Sequence, residues 1–153
     1  MDIGSRRPLG AGATGIAFLA ALPDLEVRQI LEKVSDRLAR AAARPMADIE
    51  AAIVESRPLG YALAADEPLG RIIGLAVPLM SRHGRPLGTL SLSGIPERFP
   101  SGRLPELLAL LNEQARVLDE TVRRMPEGER HRNHWSDGAV DRRVRGAKVR
   151  ALL

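Results

Sequence analysis

The spacing of apolar residues predicts three helices in the first sixty residues. The segment TGIAFLAALP, residues 14–23, is apolar enough for a short buried helix that its last proline ends. Over residues 24–42 apolar side chains recur at three- and four-residue steps, which predicts an amphipathic helix with Asp24 as its N-cap. A third helix is predicted over residues 47–56, ended by the RPLG of residues 57–60.

The pattern changes after Tyr61, where extended structure is predicted to begin. The continuous, β-branched run RIIGLAVPLM, residues 71–80, predicts a strand buried on both faces, with incomplete pairing near Pro78. Residues 86–94 alternate small polar residues with leucine and glycine, which predicts a strand with two chemically different faces. The segment SRHGR joins these strands into an antiparallel hairpin.

The end of the chain contains one more periodic segment and a tail. Leucines at helical spacing predict a helix over residues 103–124, with Ser101 as its cap. The polar, arginine-rich residues 126–153 predict a disordered tail, in which a weak helix over residues 139–152 stays open. The length of 153 residues therefore predicts one domain, residues 1–125, followed by this tail.

Composition excludes several classes of function. Cysteine is absent, which rules out disulfides, thiolate metal sites and a cysteine nucleophile, and which fits the reducing cytoplasm. Aromatic residues make up 3% of the chain, too few to form a platform on which bases stack. The chain has no signal peptide and no run of about 18 apolar residues, so a soluble cytoplasmic protein without a membrane partner is expected.

The basic net charge of +4 comes from the tail alone. Residues 1–122 contain 14 Lys and Arg against 15 Asp and Glu, a net charge of −1, whereas residues 123–153 contain 9 against 4, a net charge of +5. The folded part therefore lacks the basic balance that is typical of a nucleic-acid-binding domain.

Four short segments occur in a characteristic order. They are a loop of small residues at 10–15, the Gly-Tyr pair at 60–61, an apolar strand at 72–78 and the S-x-S-G segment at 91–94. Together they resemble the effector-binding domain of IclR-type bacterial transcription regulators, over about residues 5–124. The resemblance implies a GAF-like α/β (α+β) domain, in which the strand hairpin packs against helices and a pocket lies between the sheet and the glycine-rich loop.

The resemblance implies a sensing function and no enzymatic activity. A small organic acid would bind in the pocket and modulate DNA binding by a winged helix-turn-helix. In the family that module and the front of the sensing domain precede Arg6, so a partial domain, DNA contact only through a missing N-terminal domain, and a homo-oligomer are expected. The alternative is a truncated interaction fragment that binds no effector and has only nonspecific affinity for anions through its basic tail.

Some candidate residues for the effector site follow from the residues themselves. Ser91 and Ser93 share one strand face, so that two hydroxyls can hold one carboxylate, although a solvent-facing polar row explains them as well. The start of a helix after the glycine-rich loop exposes N–H groups that favour an anion. By resemblance, Ala13 and Thr14 would lie at the pocket wall.

Three further candidates come from the resemblance alone. Asp66 would face the effector, or else lie in a solvated loop. Ile73 would form an apolar wall. Arg71 would supply a counter-charge to an acid, or else point to solvent.

Other chemistries find no support. The segment GAGATG at 10–15 matches the GxGxxG motif of dinucleotide-binding sites. It lacks the strand that should precede the motif and the acidic residue at a second strand about 20 residues later. A tight, closely packed turn is therefore the competing interpretation of its glycines. His83 lies in the hairpin turn and His131 and His134 in the tail, which leaves Ser91 and Ser93 without a catalytic histidine for an esterase. HRNH offers two metal ligands where a site needs three or four, so neither a metal nor a cofactor is expected.

Overall fold

The computed structural model describes residues 7–42, 44–66 and 72–124. Three helices come first, namely α1 (Ala13–Ala20), α2 (Asp24–Ala42) and α3 (Met46–Leu59). Three strands follow, namely β1 (Ala62–Asp66), β2 (Ile72–Met80) and β3 (Pro86–Gly94). Two 3₁₀ turns, Pro96–Arg98 and Ser101–Arg103, then lead into α4 (Leu104–Arg124). The predicted tail, with its weak helix over residues 139–152, lies outside the described residues.

The strands form an antiparallel sheet in the order β1-β2-β3, which confirms the predicted α/β class and the hairpin of β2 and β3. The incomplete pairing predicted near Pro78 is also confirmed. Pairing with β1 ends where Ala62 meets Ala76, two residues before this proline, and the register with β3 becomes irregular between Leu79 and Met80. Proline lacks an N–H to donate, so it occurs where the ladder needs no donor.

Both faces of the sheet are covered at its centre. Alternate residues of β2 point to opposite sides. Ala76 belongs to a core formed with α1, α2 and α3, whereas Leu75 and Val77 belong to a second core formed with α4. These three residues are at most 1% exposed, which confirms the predicted burial on both faces.

The bounds of α2 agree with the prediction, whereas the role of Asp24 and the end of α3 differ from it. Asp24 is the first residue of α2, and its carboxylate forms an ion pair of 2.7 Å with Nη2 of Arg57 instead of capping the helix from outside. Arg57 Nη2 also donates to the carbonyl of Leu22 at 3.0 Å, which ties the end of α3 to the start of α2. The helix therefore continues through Pro58 and ends only at Gly60, whose left-handed φ of 72° terminates it.

The end of α4 at Arg124 agrees with the prediction, whereas its cap and the burial of its later turns differ from it. A 3₁₀ turn separates Ser101 from the first residue of α4, so Ser101 does not occupy the N-cap position. Leu111 and Ala115 are buried as expected, but Leu118 is 40% exposed. The underlying strand ends at Met80, whose N–H donates to Asp119 Oδ1 at 3.0 Å, and Leu118 therefore has little sheet to cover.

Two glycines allow α1 to pack unusually closely on its neighbours. A Cβ on Gly15 would overlap the backbone nitrogen of Gly10 in the preceding loop. A Cβ on Gly74 in β2 would lie 3.2 Å from Cβ of Ala13, the first residue of α1. The start of α1 is thus held between the loop backbone and the sheet.

We expect Gly74→Ala to destabilise the fold by about 1 kcal/mol, because the new methyl group crowds Ala13. Adding Ala13→Gly removes the crowded atom, so the double variant should be more stable than the sum of the two single changes predicts, by roughly 1 kcal/mol. Urea unfolding of the four proteins measures this coupling. Gly88→Ala is the control, since its Cβ would meet nothing within 4 Å. Strictly additive changes would contradict the contact.

An ion pair links the hairpin turn to α2. Arg85 Nη1 and Nη2 donate to the two carboxylate oxygens of Glu26 at 2.5 and 2.7 Å. These hydrogen bonds, and the attraction between the two charges, lower the pKa of Glu26 below its ordinary 4.5. The folded state thus favours the carboxylate, and the stabilisation is present above pH 4.5 and decreases as the pH falls through the lowered pKa.

Glu26→Gln should therefore reduce the free energy of unfolding at neutral pH, and the difference from the parent protein should shrink on acidification below pH 4.5. Because the pair is exposed, the effect should be small and should weaken at high salt. Urea unfolding at several pH values measures it, with Glu32→Gln on the same helix as the control. A difference that stays constant across the acid range would show that the ion pair does not form.

Candidate functional site

A cavity of about 800 Å³ lies between the glycine-rich loop, α1 and the sheet. We call it the loop–sheet cavity. Its walls come from loop residues 7–12, from the cavity-facing side of α1 and from one face of the sheet. Segments distant in the sequence thus form one concave surface of the size that is typical of a small-molecule site.

The first turn of α1 supplies hydrogen-bond donors to this cavity. Gly12 precedes the helix with a φ of 84° and provides no side-chain cap, and the N–H of Ile16 makes an intrahelical bond to the Gly12 carbonyl. The N–H groups of the first helical residues have no acceptor within a helix. Three of those residues line the cavity, namely Ala13, Thr14 and Gly15. The partial positive charge at this end of α1 favours an anion.

The opposite wall carries hydroxyl groups. Ser91 and Ser93 line the cavity from β3, where they pair with Ala76 and Gly74 of β2. A Cβ on Gly74 would lie 3.2 Å from Cβ of Ala13 and 3.8 Å from Oγ of Ser93. The start of α1 and a serine hydroxyl therefore lie close together beside Gly74.

The rest of the described lining is largely apolar. It includes Ala64 and Ile72 from the sheet, Phe18 from α1 and Pro8 from the loop. Among the described lining residues, Arg7 is the charged one. A bound molecule would thus meet polar groups at one end and along one wall, and apolar side chains elsewhere.

Four of the six predicted site residues lie together in this cavity, namely Ala13, Thr14, Ser91 and Ser93. Ile73 does not. It shares the strand face of Leu75 and Val77, which pack towards α4, and its neighbour Ile72 lines the cavity instead. Adjacent residues of a strand point to opposite faces, so Ile72 and not Ile73 lines this cavity.

The remaining candidates cannot be placed in the cavity. Asp66 ends β1 opposite Ile72, but its side chain lies outside the description. Arg71 lies outside the described residues.

The lining residues that the site prediction missed include Arg7, Phe18 and Thr89. Of these three, Phe18 and Thr89 carried a usable signal. Thr89 lies two residues before Ser91, so these two side chains share one strand face. Phe18 follows Thr14 by four residues, so these two side chains share one helix face. Nothing in the sequence pattern distinguishes Arg7.

The glycine motif has a structural explanation. The described strands are antiparallel, whereas a dinucleotide-binding site requires a parallel βαβ unit. Instead, Gly10 and Gly12 adopt positive φ values of 98° and 84°, and Gly15 contacts the loop backbone. The interpretation as a tight, closely packed turn thus accounts for all three glycines.

The described residues contain no group of three or more His, Cys, Asp or Glu side chains that could hold a metal ion. Within the same ranges, no helix combines the length and the hydropathy needed to cross a membrane.

Comparison with known proteins identifies relatives of the chain. Residues 1–120 match the model of the bacterial transcriptional regulator IclR C-terminal family. The HTH-type transcriptional regulator KdgR of Escherichia coli K12 is 35% identical over 119 residues, which are 76% of this chain and 44% of KdgR. The chain therefore spans less than half the length of this relative.

Solved structures show the same fold. The C-terminal domain of E. coli KdgR superposes with a TM-score of 0.68 at 31% identity, over 79% of this chain and 74% of that one. The inducer-binding domain of Acinetobacter PobR, a double mutant solved with 3-hydroxybenzoic acid, gives a TM-score of 0.60 at 22% identity, over 77% and 69%. The second likeness shows the fold alone.

These relatives are transcription regulators, and the PobR domain is an inducer-binding domain, in agreement with the prediction of a non-enzyme. The family model covers most of the chain, and the sequence and fold comparisons agree with it. The chain belongs to the IclR family of bacterial transcription regulators, and it corresponds to the C-terminal regulatory domain of that family.

Proposed function

We propose that this domain senses a small organic acid, which binds in the loop–sheet cavity. The observation that carries the proposal is that the α1 N-terminus and the Ser93 hydroxyl lie close together beside Gly74, in the lining of one largely apolar cavity. Donors that converge at one end of an apolar pocket are suited to hold one anionic group and to fix the orientation of the rest of the molecule.

The chemistry of binding follows from these groups. One carboxylate oxygen would accept hydrogen bonds from the free N–H groups of the first turn of α1. The other would accept from the hydroxyls of Ser91 and Ser93. Arg7 at the cavity wall adds a favourable charge, while Phe18 and Ile72 contact the apolar part of the ligand. None of these groups is arranged to break a bond, so the proposed activity is recognition only.

Within a complete regulator, we propose that binding changes the affinity for DNA. The match spans less than half of KdgR, so DNA contact is assigned to a winged helix-turn-helix outside this chain. A ligand can shift such an equilibrium only by binding one arrangement better than another. A homo-oligomer in the cytoplasm is the proposed setting, in which the shifted arrangement is that of the subunits.

Thermal unfolding of the full chain with a panel of small carboxylates, 3-hydroxybenzoate included, tests the proposal. An acid present at 100 times its dissociation constant should add about 2.7 kcal/mol to the stability and raise the melting temperature. The double variant Ser91→Ala, Ser93→Ala should lose this shift, because the carboxylate loses its hydroxyl donors. The variant Ser35→Ala, Ser101→Ala removes two serines outside the cavity and should keep it.

Two outcomes would contradict the proposal. One is the absence of a shift with every acid. The other is a shift of equal size with all anions. If high salt and deletion of residues 126–153 each abolish that shift, nonspecific binding by the basic tail is indicated.

A further inference from the structure

One flank of α4 carries a row of exposed residues that begins with Leu110. The row advances by four, three and four residues, which places its members above one another on the helix surface. We call it the outer seam, and it consists of Leu110, Gln114, Val117 and Thr121. Leu110 and Val117 are 43% and 48% exposed, so two large apolar side chains of this seam are in contact with water. The seam lies roughly a third of a turn around α4 from the buried Leu111 and Ala115.

An acidic row runs beside the outer seam. Glu106, Glu113 and Glu120 recur at intervals of seven residues, and all three are exposed. Glu120 pairs with Arg116 of the same helix at 3.3 Å, and this exposed pair is weak enough to be exchanged for another. When two helices pack along such a seam, the charges beside it select the partner and its direction. The outer seam therefore favours a partner helix that carries positive charges at the matching positions.

The basic end of the chain has the complementary pattern in its sequence. Val140, Val144, Ala147 and Ala151 also follow one another by four, three and four residues. Arg143 and Arg150 directly precede two members of this row, as Glu113 and Glu120 directly precede two members of the outer seam. A helix over residues 139–152 would thus have an apolar row flanked by arginines.

Such a helix needs a surface to pack on. Isolated helices of this length are marginal in water, and Gly146 lowers the helix propensity further. Residues 125–138 separate the segment from the end of α4, which is more than the roughly two to eight residues that join antiparallel helices in bundles. The segment can therefore turn back along α4.

An antiparallel arrangement brings the two patterns into register. If Val144 packs against Val117, Ala147 lies opposite Gln114. In antiparallel helix pairs, the residues that directly precede these seam positions face each other across the interface. Arg143 then lies opposite Glu120 and, one heptad along, Arg150 lies opposite Glu113. Both arginines thus meet a glutamate in a single register.

A second copy of α4 fits the outer seam less well. In an antiparallel pair of α4 helices aligned through their seams, Glu113 of each helix would lie opposite Glu120 of the other. Like charges at these positions are unfavourable. The charge pattern therefore selects the basic segment over a second α4.

We propose that residues 139–152 form a helix that docks antiparallel on the outer seam of α4, with Arg143 beside Glu120 and Arg150 beside Glu113. The contact covers Leu110 and Val117 and gives the net charge of +5 in residues 123–153 a partner within the same chain. It is independent of any ligand in the loop–sheet cavity.

Disulfide formation in the full chain tests the contact, because the natural sequence contains no cysteine. The variant Gln114→Cys, Ala147→Cys should form an intramolecular disulfide in glutathione buffer, since a disulfide requires Cα atoms within about 7 Å. The matched control is Asn112→Cys, Ala147→Cys, in which the first cysteine is equally exposed on the far flank of α4. We expect the first pair to react about tenfold faster, measured by intact mass.

Charge reversal in the first cysteine variant tests the predicted ion pairs. Glu113→Arg should slow disulfide formation about fivefold, and adding Arg150→Glu should restore the rate, because the pair is then re-formed with its charges exchanged. Glu32→Arg makes the same change in net charge on α2, which packs on the opposite side of the sheet, and should have no effect. Melting temperatures of the reduced variants should match, which separates an altered contact from an altered fold.

Three outcomes would overturn the proposal. The first is an equal rate for the two cysteine pairs, which is expected of a segment that meets α4 without preference. The second is a disulfide between chains whose rate rises with protein concentration, because the outer seam would then bind a second copy. The third is a failure of Arg150→Glu to restore the rate that Glu113→Arg lowers.

Discussion

The close packing of the first turn of α1 is the constraint on which the rest of the site depends. Gly15 lets the loop backbone lie directly on the helix, and Gly74 lets Ala13 approach the sheet. Without these contacts the loop would not fold over the face of β2 and β3, and the cavity would lose a wall. The missing side chains of the two glycines therefore allow these contacts, and the groups that line the cavity take their positions from them.

The sequence predicts the elements well because each has a strong periodicity. The apolar steps of α2 and the alternation of β3 both correspond to observed elements. Boundaries that depend on tertiary contacts were predicted less well. A proline normally ends a helix, yet α3 continues through Pro58, where Arg57 bonds to Leu22 and Asp24 of distant segments. No local pattern contains that information.

The same distinction applies to the site. A period of two determines that Ser91 and Ser93 share a face, and this can be predicted without a structure. Which face of the neighbouring strand lies under α1 depends on the packing of the sheet, since β2 is apolar on both sides. The pattern of β2 alone therefore does not show that Ile72, and not Ile73, lines the cavity. An alternating strand reveals its orientation, whereas a uniformly apolar one does not.

The central strand β2 lies between the cavity on one side of the sheet and α4 on the other. Gly74 and Ala76 face α1 and the cavity, whereas Leu75 and Val77 pack towards α4. The end of the same strand is bonded to α4 through Met80 and Asp119. Under the proposed function, a ligand bound between α1 and Ser93 would contact a strand whose opposite side packs against α4. Because closely packed cores transmit strain, α4 would then be positioned to respond to binding.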